Sequence, residues 1–501
     1  MSSRVYPMSV GEPPSAAFTM TVDGAPTPLY SARVSKHPIN RRWPGHQRPV
    51  EQTELASFAL FEMDAPAQIV LKPSRPFHSV TVRPLSRAVR PRVEAGVISF
   101  TLPRAGAYTV ELDGPHCALH LFADPVKRYG AGPRDENVLY YGKGIHDVGL
   151  IRLQSNQTLF LDEGAVVYAR VEACDAHNIR ILGHGILDGS RNHEKILFEF
   201  GDREIEQFNK GFAVENAGRS HLVQLEYCDH VEIDGITLRD SPLYTIRPIA
   251  CRDLRIEGVK IIGNWRYNSD GIDMHNCERV HIKDCFVRTY DDSICIKGFD
   301  YLQDEADMLH NGILHDTFRD VLVEGCVIWC DWGCSLEFGA ETRAREICGV
   351  TFRDCDLIHN AAVALDVKNV DYADIHDVLF ENIRVEYGAV SQRPMLQKSD
   401  LDVYAEDPDS DYMPGLFGAY ILYIPEYSKD GTRRGRIRDV AFRNVAVSAP
   451  RMPPSEIHGY DAQHLCSNIA FENIRLNGRR LHDLAEAGIR QNAFAAGVHF
   501  S

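Results

Sequence analysis

The sequence lacks several features that mark common functional classes. No Lys/Arg-rich block stands out, and 70 acidic against 54 basic residues give a formal net charge of -16, so nucleic acid is not an expected partner. No apolar run approaches the roughly 20 residues that span a bilayer, so no membrane partner is expected. No glycine-rich phosphate-binding loop opens a helix, so no organic cofactor is expected. The negative charge also disfavours an acidic polymer ligand unless a local basic patch compensates.

The cysteines do not form a recognisable framework either. There are 13, an odd number at irregular spacing, which argues against a set of structural disulfides. Cys330 and Cys334 are close in sequence, but nothing nearby completes a four-ligand metal set, so no metal site is predicted. We expect most of these thiols to be free and buried as small apolar groups.

The N-terminus carries no export signal in this sequence. Residues 1–14 are polar and contain proline, without the charged start, apolar stretch and small-residue cleavage site of a signal peptide. We therefore expect a cytoplasmic protein, or a secreted one if a leader has been removed. The sequence gives no indication of oligomeric state.

The chain divides into parts of different character. Its 501 residues are too many for one ordinary core. Short strand-like segments separated by Pro, Gly and Asp fill residues 15 to about 125, which predicts an N-terminal β-sandwich over 1–125. Residues 126–150 read as a linker, 151–480 as a repeat domain, and 481–501 as a C-terminal tail.

A short pattern recurs through the repeat domain: apolar, any, apolar, polar, then Gly, Asp or Asn, then apolar. Most copies are 23 (254 minus 231) to 29 (469 minus 440) residues apart, the range of solenoid repeats. Each copy alternates as a strand does, and strand-type residues dominate, which favours β-coils over a leucine-rich solenoid with helices. The fold prediction is therefore all-β, a right-handed parallel β-helix behind the sandwich. The clear copies begin at Val231, Leu254, Val280, Val321, Val350, Val378, Val440 and Ile469.

Stacked coils bring matching positions about 4.8 Å apart. This predicts two interior ladders and two outward loops. One ladder is Cys285, Cys326 and Cys355; the other is Phe352, Phe380, Phe442 and Phe471. Segments 299–320 and 386–436 exceed the length of one coil and should loop out over the binding face.

Three aspartates form the densest candidate for chemistry. Asp270 and Asp291 are 21 residues apart (291 minus 270), close to one coil, and Asp292 follows directly. Inverting hydrolysis of a glycosidic bond needs one carboxylic acid and a second carboxylate that activates water. Crowding of carboxylates raises one pKa and so supplies the acid. Consecutive strand residues point to opposite faces, so Asp291 and Asp292 must lie at a bend; a lone Asp-Asp pair would ordinarily mark only a turn.

Asn268-Ser-Asp270 followed by Tyr290-Asp291-Asp292 resembles the polygalacturonase family, glycoside hydrolase family 28. That family carries an Asn-x-Asp motif and then an Asp-Asp motif one coil later. The resemblance implies that Asp291 is the general acid, and that Asp270 and Asp292 hold and activate water.

The sequence departs from that family in two places. The coil that would carry Gly-His-Gly contains no histidine in residues 332–339, and Gly183-His184-Gly185 lies several coils too early, so we interpret it as structural. The family's Arg-x-Lys, which binds the substrate carboxylate, falls on Asp366 and Lys368. A pocket with Asp366 and Glu337 suits a galacturonate ring poorly, which favours a neutral or mixed oligosaccharide or polysaccharide.

The chain also resembles the dextranase and isopullulanase family, glycoside hydrolase family 49. That family joins an N-terminal β-sandwich to a related β-helix and uses the same three-aspartate scheme. The predicted sandwich and residues 327–351, after the aspartates, carry this likeness. The shared clan implies an inverting glycoside hydrolase.

Several neighbours of the aspartates are candidates for substrate binding. Aromatic faces suit sugar rings, although partial burial explains such residues equally well. Asn268, His275 and Lys297 flank the motif, and a strand-edge histidine is often only a surface group. The predicted binding residues are Trp265, Asn268, His275, Tyr290, Lys297, Trp332, Glu337, Asp366 and Lys368.

Two other functions remain open on sequence grounds. A β-helix polysaccharide lyase or epimerase would use calcium on the clustered aspartates, but no basic residue sits inside the cluster to act as its base. A non-catalytic carbohydrate-binding module is possible because fold does not set function. If the chain is a hydrolase, segment 386–436, with Tyr404, Tyr412, Tyr420 and Tyr423, is a candidate for blocking the cleft and imposing action at chain ends.

Overall fold

The computed structural model describes residues 3–41, 50–191, 221–299, 308–388, 391–397, 402–425, 427–428 and 432–501. These residues form β-strands and two short 3-10 helices, Val50–Gln52 and Leu85–Arg87. The strands build an N-terminal β-sandwich and a parallel β-helix. The predicted fold class is confirmed.

The sandwich consists of two sheets whose facing apolar side chains form one core. Every second residue of its inner strands is buried, as the alternation Phe18, Met20 and Val22 illustrates. The first sheet contains Ser3–Val5, Tyr30–Ser35, Thr53–Met63, Val80–Arg83, Gly106–Leu112 and Leu119–Pro125. The second sheet contains Phe18–Val22, Ala25–Pro26, Ala67–Pro73, Arg92–Glu94 and Val97–Leu102.

The β-helix has three faces, each a ladder of strands from successive coils. The first face is a parallel sheet of Val138–Tyr141, Thr158–Leu161, His177–Gly183, Asp229–Asp234, Arg252–Glu257, Glu278–Lys283, Thr317–Glu324, Glu346–Arg353, Asp374–Glu381, Arg436–Arg443, Cys466–Glu472 and Ala495–Phe500. The long strands Gly144–Arg152 and Ala165–Cys174 then run through both remaining faces. They pair with each other, and Ala165–Cys174 pairs in turn with Ile186–Asp188 on one face and Val223–Glu226 on the other.

The second and third faces alternate along the chain. The second face continues with Ile186–Asp188, Thr237–Arg239, Lys260–Ile262, Phe286–Thr289, Val327–Cys330, Asp356–His359, Arg384–Glu386, Ala446–Ser448 and Arg475–Leu476, which turns back into Arg479–Arg480. The third face continues with Val223–Glu226, Ile246–Ile249, Ile272–His275, Ile294–Lys297, Leu336–Phe338, Val363–Asn369, Gly415–Ile421, Ser455–His458 and Ile489–Gln491.

Both predicted ladders lie inside the helix. The rings of Phe352, Phe380, Phe442 and Phe471 stack at centroid distances of 4.9, 5.0 and 5.1 Å, and the three cysteines of the other ladder are buried. The bends between the first and second faces adopt a left-handed backbone, with φ of 55° at both Asn382 and Asn444. Asparagine tolerates this conformation, and each amide also bonds to the preceding coil.

The sandwich packs on the second face of the helix. Tyr30, Phe58 and Phe122 from its first sheet form one apolar cluster with Phe286 and Trp329 from the second face. Ion pairs such as Arg83–Glu386 surround this contact. The sandwich therefore covers the second face rather than the third, although outward side chains of the central third-face strands, such as Asp273, Lys297 and Glu337, are also buried.

The ends of the helix differ from the predicted domain boundaries. Strands Val138–Tyr141 and Gly144–Arg152, in the predicted linker, already form the first coil, and Ala495–Phe500, in the predicted tail, closes the last one. These terminal coils are half-exposed, so they carry the apolar alternation weakly and escape a pattern search.

The two long segments leave the coils only in part. The first contains a hairpin of Leu309–His310 and Ile313–Leu314; its residues 300–307 lie outside the described residues. The second contributes Gly415–Ile421 to the third face, and its strand Met395–Gln397 pairs with Ile39–Arg41 of the N-terminal unit. No helix in the described part of the chain is long and apolar enough to cross a membrane.

Candidate active site

The predicted aspartates lie on neighbouring coils at the bend between the second and third faces. Gly271 N–H donates to Asp292 O, and Ser293 N–H donates to Cys334 O, each at 2.9 Å. A side chain on Gly271 would clash with the Ser293 carbonyl, so glycine after Asp270 permits this close stacking. One-coil spacing thus brings residues 270, 291–292 and 334 to a single corner.

Asp291 and Asp292 lie in the bend that the strand alternation requires. Strand Phe286–Thr289 ends just before them and Ile294–Lys297 begins just after. The Thr289 hydroxyl donates to Asp291 O at 2.6 Å and holds the bend. Asp292 Oδ1 accepts the Cys334 N–H at 2.7 Å, an approach that a side chain on Gly333 would obstruct. Both aspartates are half-buried at the surface of the corner.

A buried lysine neutralises the carboxylates on one side of the corner. Lys297 Nζ lies 2.8 Å from Asp273 Oδ2, 3.4 Å from Glu341 Oε2 and 3.8 Å from Asp270 Oδ2. Burial alone would lower the pKa of Lys297, but Asp273 and Glu341 outweigh it and raise this pKa well above its usual value. Burial, and then repulsion from Asp273 and Asp291, raises the pKa of Asp270 well above its ordinary range.

A second cluster lies on the next two coils. Lys368 Nζ lies 2.6 Å from Glu337 Oε1 and 3.1 Å from Asp366 Oδ2. Glu337 and Asp366 are cross-strand neighbours, and both are buried. Burial, and then the charge of Asp292, raises the pKa of the Glu337 carboxyl well above its usual value. The position that carries the family's arginine is therefore acidic, and its lysine is already engaged by two carboxylates.

Asp291 has the environment of a proton donor. Burial, and then repulsion from Asp292, raises the pKa of Asp291 well above its ordinary value. A raised pKa favours the protonated carboxyl that a general acid requires.

The remaining predicted binding residues fall into two groups. Tyr290, Trp265 and His275 are buried; the Tyr290 hydroxyl donates to Ile39 O, the Trp265 indole N–H donates to Asp240 at 3.1 Å, and His275 Nδ1 lies 3.0 Å from Gly298 O. These three side chains are therefore held in place by the surrounding structure. Asn268 and Trp332 are half-buried beside the aspartates, where a ligand can reach them. The binding roles themselves stay predictions.

Several residues near the site were not singled out for a role. Asp273 is fully buried against Lys297. The available signal was its place between the core residues Ile272 and Met274, which puts it on the outer side of their strand. Glu341 joins the same lysine from the next coil, which no local pattern indicates. Tyr427, from the long segment, is 38% exposed, and it lies close enough to the site for desolvation and then the charges of Glu341 and Asp291 to raise its pKa.

The fold and the corner together define a parallel β-helix protein of the glycosidase type. A family model, glycosyl hydrolases family 28, matches residues 145–396. The chain belongs to this family, and the predicted resemblance is confirmed.

Similar sequences cover only part of the chain. A probable polygalacturonase of Vitis vinifera is 25% identical over 206 residues, 37% of this chain and 42% of that protein. A polygalacturonase of Gossypium barbadense is 29% identical over 149 residues, 30% of this chain and 33% of that protein. The match thus spans less than half the length of these curated relatives.

Solved structures extend the likeness to the whole fold. Dex49A from Penicillium minioluteum aligns with a TM-score of 0.67 at 15% identity, covering 99% of this chain and 96% of that one. An exopolygalacturonase from Thermotoga maritima aligns with a TM-score of 0.50 at 19% identity, covering 69% and 84%. At these identities the likeness concerns architecture, including the N-terminal unit shared with the first structure.

Proposed function

We propose that this chain is an inverting glycoside hydrolase that cleaves glycosidic bonds in an oligosaccharide or polysaccharide. The observation that carries the proposal is the meeting of Asp270, Asp291 and Asp292 on adjacent coils at one corner, where Asp291 and Asp292 are partly exposed and Asp270 is buried behind them. Membership of a glycosyl hydrolase family supports it.

The environments of the three aspartates suggest how the work is divided. Asp291, with its raised pKa, donates a proton to the glycosidic oxygen as the bond to the anomeric carbon breaks. Asp292, oriented by the Cys334 N–H, and Asp270, beside Lys297, hold the attacking water, whose proton passes to the Asp292 carboxylate. Attack from the face opposite the leaving group inverts the anomeric configuration.

The second cluster favours a substrate without a ring carboxylate. A free lysine would attract such a group, but Lys368 contacts both Glu337 and Asp366. A further carboxylate in this place would meet two like charges for one cation, which disfavours binding. We therefore propose a neutral or mixed glycan.

Product analysis by proton NMR on a panel of neutral and acidic oligosaccharides tests this proposal. The wild type should release a reducing sugar of inverted configuration. Asp291→Asn should slow this release by about 10²–10⁴-fold, the usual contribution of a general acid, with an unchanged melting curve. Asp284→Asn, the same substitution at the opposite bend of the same coil, should retain full activity.

Other experimental results would indicate a different function or mechanism. An unsaturated product that survives Asp291→Asn would indicate a lyase. Binding without turnover of any glycan would indicate a carbohydrate-binding module. A retained anomeric configuration would contradict the proposed mechanism.

A further inference from the structure

The thiol of Cys334 and the carboxyl groups of Asp292, Glu337 and Asp366 lie close together in the candidate active site. One carboxyl oxygen each from Asp292 and Glu337 and the Cys334 sulfur all lie within 4.8 Å of one another. The Cys334 sulfur also lies 3.6 Å from Asp366 Oδ2. Three successive coils thus contribute four potential metal ligands to one small volume.

Two of these carboxyl groups each have one buried oxygen that accepts no hydrogen bond from the part of the chain that the structure describes. Glu337 and Asp366 are 1% and 0% exposed, and among the described residues Glu337 Oε2 and Asp366 Oδ1 have no hydrogen-bond partner. A buried acceptor without a partner is costly. One carboxyl oxygen of Glu337 lies within 4.8 Å of one of Asp292, so the two groups repel when both are ionised, and a shared proton or a cation relieves that repulsion.

We propose that Asp292, Cys334, Glu337 and Asp366 form a binding site for one thiophilic divalent cation, of which Zn²⁺ is the representative. Zinc binds oxygen and sulfur ligands at about 2.0–2.3 Å in a tetrahedron, so two ligands on one ion lie roughly 3.3–3.8 Å apart. The Cys334–Asp366 distance of 3.6 Å already fits this range, and the Asp292, Cys334 and Glu337 atoms, which lie within 4.8 Å of one another, must approach by up to about 1.5 Å. The thiol selects against Mg²⁺ and Ca²⁺, which prefer oxygen.

Binding forms a sulfur–metal bond and breaks the S–H bond of Cys334. The thiol proton, and any proton held by the carboxyl ligands, passes to solvent, and nothing is oxidised or reduced. Lys368, 2.6 Å from Glu337, is the cation that already lies in the cluster. It neutralises only part of the charge that Asp292, Glu337 and Asp366 carry when ionised, so the cluster retains an attraction for a divalent ion.

The cation would act as a reversible inhibitor. This consequence rests on the proposed function, in which Asp292 holds the attacking water. An ion bound to the Asp292 carboxylate displaces that water and withdraws the base.

A second cluster of possible ligands must be removed before zinc binding is measured. Glu346, Cys348 and His376 also lie within 4.8 Å of one another, on the first face and outside the candidate active site. Cys348→Ser therefore serves as the reference protein, and Cys334→Ser is added to it.

Isothermal titration of chelator-treated protein with ZnCl₂, without substrate, measures the site directly. We expect one Zn²⁺ per chain in the reference protein and an affinity lower by about 100-fold or more in the double variant, since even outer residues of metal sites contribute 10–100-fold. Melting curves confirm that both proteins are folded. Equal affinity in the two proteins, or no binding in the reference, would overturn the proposal.

Inhibition is measured separately on any glycan that the protein hydrolyses. Zinc should inhibit the reference protein, EDTA should restore its rate, and the half-inhibitory concentration should rise by the same factor in the double variant. Absence of hydrolysis would contradict the proposed function and leave the binding result standing. Binding without inhibition would overturn the assignment of the ion to Asp292.

Discussion

Replacing Lys297 with methionine tests the electrostatic account of the corner. Lys297 is 3% exposed and is the cation that contacts Asp270, Asp273 and Glu341, which are themselves buried. Methionine keeps most of the length of the chain but removes the charge. Breaking a buried ion pair by removing one partner costs about 3–5 kcal/mol, because it leaves an uncompensated charge. We expect a loss of this size in the free energy of unfolding at neutral pH.

The loss should depend on pH in a defined direction. Asp270 and Asp273 have raised pKa values in the folded protein even with Lys297 present, and removing the cation raises them further. A carboxyl whose pKa is higher in the folded than in the unfolded protein makes the free energy of unfolding fall as the pH rises from the unfolded-state pKa to the folded-state pKa. The difference between wild type and Lys297→Met should therefore be larger at about pH 8 than at about pH 5.

Urea denaturation followed by tryptophan fluorescence at both pH values measures this difference, provided that refolding is reversible. Lys283→Met is the matched control, because Lys283 lies on the same coil but is 40% exposed and 3.9 Å from its nearest carboxylate, Asp284. The control should change stability by less than about 1 kcal/mol. If Lys297→Met behaves like the control, or destabilises more at low pH, the assigned charge state of the corner is wrong.

The remaining predictions concern catalysis and the core. The rate kcat/KM should fall as pH rises through the raised pKa of Asp291, because the general acid must be protonated; a pH–rate profile that stays level up to about pH 9 would argue against this role. Phe380→Ala should lower the free energy of unfolding by about 3–5 kcal/mol, because its ring stacks between Phe352 and Phe442 inside the helix. A loss below about 1 kcal/mol in urea denaturation would mean that the ladder contributes little.

The periodic part of the fold was predictable from the sequence because each coil repeats the same local rules. Apolar residues alternate along the strands, and a residue that tolerates left-handed backbone follows, as at Asn382 and Asn444. Stacking then turns sequence period into spatial register, which is why the phenylalanine ladder was predicted correctly. The same reasoning brought Asp270 next to Asp291.

The termini of the β-helix and the details of the site were less predictable from the sequence. Terminal coils pack on one side only, so their strands lack the alternation of inner coils. Glu341 contacts Lys297 although it follows after a long segment, and no fixed period links the two. Local patterns carry no information about such contacts, because insertions of variable length separate the coils.

The sequence by itself thus determined the β-helix, its stacked ladders and the meeting of three aspartates at one corner, since all three follow from a repeat of nearly constant length. Only the tertiary structure decided which side chains are buried and which carboxylates have a counter-ion. The docked sandwich buries Phe286 and Trp329 on the second face, and coil stacking buries Lys297 and partly buries Lys368 among acids. Charge state depends on burial and on distances across coils, and those are properties of the assembled chain.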